Sequence, residues 1–161
     1  MNEYKLINMW NFYIHLQNTT DWNIESYYNI AEINNVSSAI LLHNYLGDEL
    51  FKKTIFFVMK NNIEPLWENE YNKNGGSFSL KIHNKDVNRI WKIIFYKLIG
   101  ETLCKNKDIM KKINGISNSP KKTFTILKIW TCDCENINSN IFNLDMIDLK
   151  TCIFKKHNPE Y

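Results

Sequence analysis

The sequence has no recognisable export signal. Met1-Asn-Glu-Tyr-Lys5 carries no basic segment followed by an apolar stretch, and no apolar run approaches the ~18 residues of a membrane span. A cytoplasmic, reducing setting is therefore expected, and the four cysteines, Cys104, Cys132, Cys134 and Cys152, are read as free thiols. Cys132 and Cys134 are too closely spaced for a zinc pair and have no second Cys/His pair to join, so no metal centre is expected. Charge of one sign is also scarce. A formal net charge of +3 excludes the broad basic surface of a general nucleic-acid binder, so any RNA contact has to be local. None of the histidines His15, His43, His83 and His157 lies in a motif tying it to a nucleophile or a metal, which argues against an enzyme, and no cofactor is implied. Repeats and long linkers are missing too, so residues 1–161 read as one domain.

What the chain does have is aromatic side chains, at 14% of residues with five tryptophans, and short apolar runs in a mixed order. Leu6–Leu16 and Tyr27–Ile33 read as strands joined by a polar loop that contains Trp22. A short helix over Val36–Leu46 follows the cap candidates Asn34 and Asn35. Thr54–Met59 reads as a strand and Ser77–Ile82 as another, with a long loop carrying Pro65, Trp67 and Gly75-Gly76 between them. Loops of that length inside a compact domain are usually functional.

Asp86–Leu98 shows the clearest helical period, with Trp91 on its apolar stripe as a packing residue. Ile113–Ser117 and Thr123–Trp130 are read as strands around a turn Asn118–Lys122. Ile141, Leu144 and Ile147 mark a late helix, and Thr151–Lys155 a last strand. Strands in runs rather than in βαβ alternation favour an α+β fold: a mostly antiparallel sheet with helices on one face.

Trp22 and Trp67 need explaining, because both lie in polar loops where no apolar stripe accounts for them. Such a tryptophan either folds back onto the core or is held out for a planar ligand. Trp130 ends an apolar strand and admits both readings. Strand alternation places Leu127 and Ile129 on one face, with Ile126, Lys128 and Trp130 on the other.

The run Ile63-Glu-Pro-Leu-Trp67-Glu68, continued by Asn72-Lys-Asn-Gly75-Gly76, resembles the signature of the eukaryotic translation initiation factor 4E family. The resemblance extends through Trp22, Trp91 with Leu98-Ile-Gly-Glu101, Gly115, and Ile129-Trp130-Thr-Cys-Asp-Cys-Glu135-Asn136. It implies a curved antiparallel sheet with helices packed on its convex face and a slot for the 7-methylguanosine cap of messenger RNA. By this resemblance Trp22 and Trp67 stack on the base, Glu68 and the Trp67 backbone N–H read the guanine edge, and Trp130 touches the methyl group. Lys121 stands where the family has an arginine for the phosphates. Lys122 beside it and Lys128 on the Trp130 face are further candidates.

Two cations that the family carries are missing, at Ser77 and Ile126. The family's partner-binding helix carries Val-x-x-x-Trp; here it reads Val36 to Ile40, so a 4G-like scaffold or repressor helix meets Ile40 in place of the indole. Three functions follow: an initiation factor that binds the cap, a cap-occupying repressor without productive scaffold binding, or an interaction module whose cap slot has decayed.

Overall fold

A computed structural model describes residues 3–16 and 18–158. Seven strands run through it: β1 (Lys5–His15), β2 (Tyr27–Asn35), β3 (Ile55–Lys60), β4 (Gly76–His83), β5 (Ile113–Pro120), β6 (Phe124–Thr131) and β7 (Ile153–Lys156). They form one sheet in the order β2-β1-β3-β5-β6-β4-β7, and every neighbouring pair is antiparallel. Irregular register between Phe12 and Tyr13 against β2, and between Ile113 and Gly115 against β6, interrupts the ladders. Such irregularities bend strands and curve a sheet.

Strand alternation divides the chemistry of the two faces. Trp10 and Phe12 of β1, Phe56 and Val58 of β3, Phe78, Leu80 and Ile82 of β4, and Leu127 and Ile129 of β6 are buried together in the main core. The helix α3 (Val87–Ile99) supplies the other side of that core with Val87, Ile90, Trp91, Ile94 and Leu98. Trp91, 1% exposed, meets the Phe56 ring edge-on at 4.9 Å, so it is a packing residue as expected from its stripe. The opposite face carries a smaller cluster of Phe57, Met59, Ile63 and Trp130, with Tyr13, Tyr27 and Ile55 against it.

The helix α1 (Val36–Tyr45) starts where its cap dictates. Asn35 Oδ1 accepts from the Ser38 N–H at 2.7 Å, and Ser38 Oγ receives the Asn35 N–H in return, a reciprocal capping box. Its buried residues are Ala39 and Leu42.

Three sequence expectations need correction. Asp48–Lys53 forms a helix, α2, and Lys107–Met110 a one-turn helix, α4; neither was expected. The expected helix through Ile141, Leu144 and Ile147 is not one: only Ser139–Ile141 turns, as a 3-10 segment. Its polar residues satisfy the backbone locally, Asn138 accepting from the Asn140 N–H and Asp148 from the Lys150 N–H, which competes with helix. The β5–β6 turn is also tighter than Asn118–Lys122. Asn118 and Ser119 remain in the ladder, opposite Leu127 and Ile126, and Lys121 N donates to Phe124 O at 2.7 Å.

Candidate ligand-binding cleft

The face opposite the helices opens into a cavity of about 490 Å³. Its walls come from the β1–β2 loop (Trp22), the loop after β3 (Pro65, Trp67 and Glu68) and the β5–β6 hairpin (Lys121, Lys128 and Trp130), with Tyr27 and Phe57 between them. Of the seven ligand-binding candidates read from the sequence, six line this one cavity. Lys122 does not; its carbonyl accepts from Asn84 Nδ2 at 3.4 Å.

The two loop tryptophans are not folded into the core, for Trp22 is 54% exposed and Trp67 42%. Trp22 is nevertheless held. Its ring stacks on His15 at 4.0 Å with the planes 8° apart, and His15 Nε2 donates to the Asp21 carbonyl at 2.9 Å. Asp21 and Asn23 close the loop through Asp21 N to Thr19 Oγ1 and Asn23 N to Asp21 Oδ1, both 3.0 Å. His15 is buried and lies outside the cavity lining, so it supports Trp22 from behind. That role escaped the sequence reading, since it depends on a loop folding back over its own strand.

The Trp67 loop is fastened by Asn72, which is completely buried. Its Nδ2 donates to the carbonyls of Glu64 at 3.1 Å and Leu66 at 2.8 Å, and its Oδ1 accepts from Asn114 Nδ2 at 2.9 Å. Asn114 also donates to the Tyr71 carbonyl at 2.8 Å. Two side chains therefore set the path of the segment on either side of Trp67 and Glu68. Gly75 and Gly76 bring the end of the loop against the sheet. A Cβ at Gly75 would lie 1.8 Å from the Thr131 carbonyl oxygen, and one at Gly76 2.4 Å from that of Lys155. Only glycine permits such backbone approach.

Among the described residues, neither the Trp67 backbone N–H nor the Glu68 carboxylate has a hydrogen-bonded protein partner. A donor and an acceptor, both without a protein partner, thus belong to adjacent residues of the cavity wall. Glu68 faces Tyr27, whose phenol is pushed up to about 12 by burial and by that carboxylate. The phenol accordingly stays protonated in the neutral range.

Trp130 is 7% exposed, buried as the end of an apolar strand, and it also lines the cavity. Its indole N–H donates to Ser117 Oγ at 3.0 Å, which fixes the ring. Behind it lies His157, with ring centroids 4.7 Å apart, whose Nδ1 meets the Asn72 carbonyl at 2.8 Å. Lys128 is half-buried on the same face as Trp130. Burial first, then the charges of Lys121 and Lys155, lower its pKa.

Burial lowers the pKa of His157 as well, and Lys128 adds to this against the opposing hydrogen bond to Asn72. The ordinary imidazole value is about 6.5, so the unfolded chain takes up the proton first as the pH falls. The stability contribution is present above about pH 6.5 and is lost as the pH drops through the folded value. His43, lowered by burial and Lys92, acts with the same sign. Urea unfolding should therefore show constant stability from pH 8 to 7 and a decline towards pH 5, with His157→Gln flattening part of it. A decline identical in His157→Gln and wild type would leave His157 without this linkage.

The partner-side residues Val36 and Ile40 lie on α1, across the sheet from the cavity, 40% and 44% exposed, with Leu41 and Tyr45 still more open. No helix among the described residues is long and apolar enough to cross a membrane.

The mimivirus of Acanthamoeba polyphaga has a eukaryotic translation initiation factor 4E homolog that is 41% identical over 64 residues, covering 40% of this chain and 24% of that protein. The human initiation factor 4E is 29% identical over 102 residues, covering 61% of this chain and 46% of the human one. The chain thus spans from about a quarter to just under half of the length of these curated relatives.

Among solved structures, a Schistosome factor complexed with m7GpppG and 4E-BP superposes with a TM-score of 0.76 at 20% identity, covering 84% of this chain and 76% of that one. A C. elegans factor, eIF4E-3, complexed with the 4E-binding protein Mextli and a cap analog gives 0.80 at 17%, covering 97% and 94%. These share the fold. The family model described as Eukaryotic initiation factor 4E matches residues 5–158, nearly the whole chain, and the chain belongs to that family.

Proposed function

We propose that the chain binds the 7-methylguanosine cap of messenger RNA in this cavity, as one cap-binding domain over residues 1–161 acting in translation initiation, without catalysing a reaction. The observation that carries the reading is the meeting of Trp22, Trp67, Glu68 and Trp130 with Lys121 and Lys128 around a single opening. Methylation at N7 gives guanine a delocalised positive charge, which indole faces attract by ~2 kcal/mol or more once water is excluded. The Glu68 carboxylate can accept from guanine N1–H and the exocyclic amine together, while the free Trp67 N–H matches the O6 acceptor. Adenine presents no such edge. Family membership supports the same ligand.

The test is discrimination. Addition of 7-methyl-GTP should quench tryptophan fluorescence, with binding at least ~10-fold tighter than for GTP, or about 1.4 kcal/mol. Equal affinities would overturn the aromatic sandwich.

On the helical face, exposed Val36 and Ile40 suit an amphipathic partner helix, from a diverged 4G-like scaffold or a repressor. Ile40 offers less area than an indole and no donor, and this favours a second reading, a cap-occupying repressor that recruits no productive scaffold. Capture of the native protein on immobilised 7-methyl-GTP, with identification of what copurifies, separates the two. A scaffold in the eluate supports initiation; cap retention without one supports repression. Failure to bind the resin at all would leave the third reading, a decayed slot.

A further inference from the structure

We propose that Lys155 is a phosphate-binding residue and that, with Lys128, it takes the polyphosphate of the ligand across strand β4. The inference rests on the cap reading for the position of the base. Its geometry comes from the sheet alone. In β4, Ser77 stands directly opposite Trp130 of β6 on one side and Lys155 of β7 on the other. Directly opposed residues share a face, so Trp130, Ser77 and Lys155 form a row on the cavity side of the sheet. The next row is Lys128, Ser79 and Ile153. The alternate residues confirm the assignment, because Phe78 and Phe154 pack against each other on the other face, with centroids 4.9 Å apart.

Two serines of β4 therefore separate two lysines, and the short side chains leave the strand's surface low between them. The cationic position that the family has at Ser77 is vacant here, and Lys155 reaches the same row from the neighbouring strand.

The charges are arranged for an anion. Lys128 is half-buried, and Lys121 and Lys155 are both near enough to disfavour its protonation. Among the described residues, no carboxylate forms an ion pair with any of the three. Elsewhere the protein does pair its lysines, as with Lys112 between Asp133 and Glu135. Lys121 and Lys155 both act on Lys128, and a polyanion placed beside Lys128 relieves that repulsion. A triphosphate leaving a base held between Trp22 and Trp67, with its methyl group at Trp130, has this row beside it. Lys155 lies beyond the cavity lining, where the Trp130 row continues onto β7, whereas Lys122, in the β5–β6 turn, belongs to neither row.

The experiment is titration of wild type, Lys155→Ala and Lys155→Arg with 7-methyl-GTP and 7-methylguanosine over a salt series. Thermal unfolding with sodium tripolyphosphate is measured in parallel. Lys155→Ala should bind 7-methyl-GTP roughly three- to tenfold more weakly at low salt, with a smaller dependence on salt, because one screened phosphate contact is gone. Its affinity for 7-methylguanosine should equal that of wild type, and Lys155→Arg should restore the triphosphate affinity. Tripolyphosphate should raise the melting temperature of wild type more than that of Lys155→Ala.

The inference is overturned if Lys155→Ala matches wild type in 7-methyl-GTP affinity, salt slope and tripolyphosphate response. It is overturned equally if Lys155→Ala weakens both cap ligands by one factor, which would make Lys155 structural. If wild type fails to prefer methylated guanine, the cap reading falls instead, and the tripolyphosphate arm still decides on Lys155.

Discussion

Trp67→Ala should reduce affinity for 7-methyl-GTP by at least ~30-fold, the equivalent of the ~2 kcal/mol of one desolvated cation–π face, while Trp67→Phe should keep part of it. Trp67 is 42% exposed, so more than half of it is covered and its removal should also cost stability, on the order of 1–2 kcal/mol; urea unfolding measured beside binding separates loss of ligand from loss of fold. Glu68→Ala should be as severe. Two guanine donors would be enclosed without their acceptor, and hydrogen bonds to a charged group contribute about 1.5–3 kcal/mol each. Calorimetric titration measures all three variants. Wild-type affinity in Glu68→Ala would remove the guanine-edge assignment.

The two aromatic walls were legible in the sequence because Trp22 and Trp67 break the local rule: a large apolar side chain lay in a polar loop with no stripe to bury it. Their high exposure bears out that anomaly. The regular elements were legible for the opposite reason. In α3 and in β4 the apolar period is the same thing as the buried face, and at Asn35 the cap is chemistry confined to residues 35–38.

What escaped is what tertiary contact creates. Helix α2 is six residues, too short for a period to register, and it is held by Phe51 under Trp91 and Phe56. Ile141, Leu144 and Ile147 do spread over apolar contacts at helical spacing, but Asn138 and Asp148 accept from backbone N–H groups two residues on, and Asn143 donates to the Thr102 carbonyl. Tyr27 reads as an ordinary strand residue, and its place between Trp22 and Phe57 exists only once β2 has paired with β1.

The cationic side of the site shows the same division. Lys128 was legible by counting along β6 from Trp130, a local argument that needs only the pleat. Lys155 was not, because its neighbourhood is set by pairing with β4, which lies more than seventy residues earlier in the chain. Ser77, read alone, is a missing charge; read with its strand partners it is the gap between two cations.

The loop that presents Trp67 and Glu68 depends on one buried amide, so Asn72→Ala should be the most damaging change outside the cavity. It removes a donor from the carbonyls of Glu64 and Leu66, the latter keeping the Asn69 N–H, and leaves the buried Asn114 amide without one acceptor. A buried polar group left unpaired costs about 1–3 kcal/mol and an ordinary lost hydrogen bond about 1, which puts the loss of stability at roughly 2–3 kcal/mol. Asn72→Asp should fare no better: it keeps an acceptor but offers two carbonyls a carboxylate where they need donors. Asn114→Ala leaves both Asn72 donor bonds in place and should cost less, about 1–2 kcal/mol. The loop should loosen before the sheet does, since β3, β5 and β6 pair independently of it. Amide hydrogen exchange should therefore speed up over residues 61–76 in Asn72→Ala while β5 and β6 stay protected, and 7-methyl-GTP affinity should fall by on the order of 100-fold. Unchanged exchange in that segment, with unchanged affinity, would show that the loop holds its shape without Asn72.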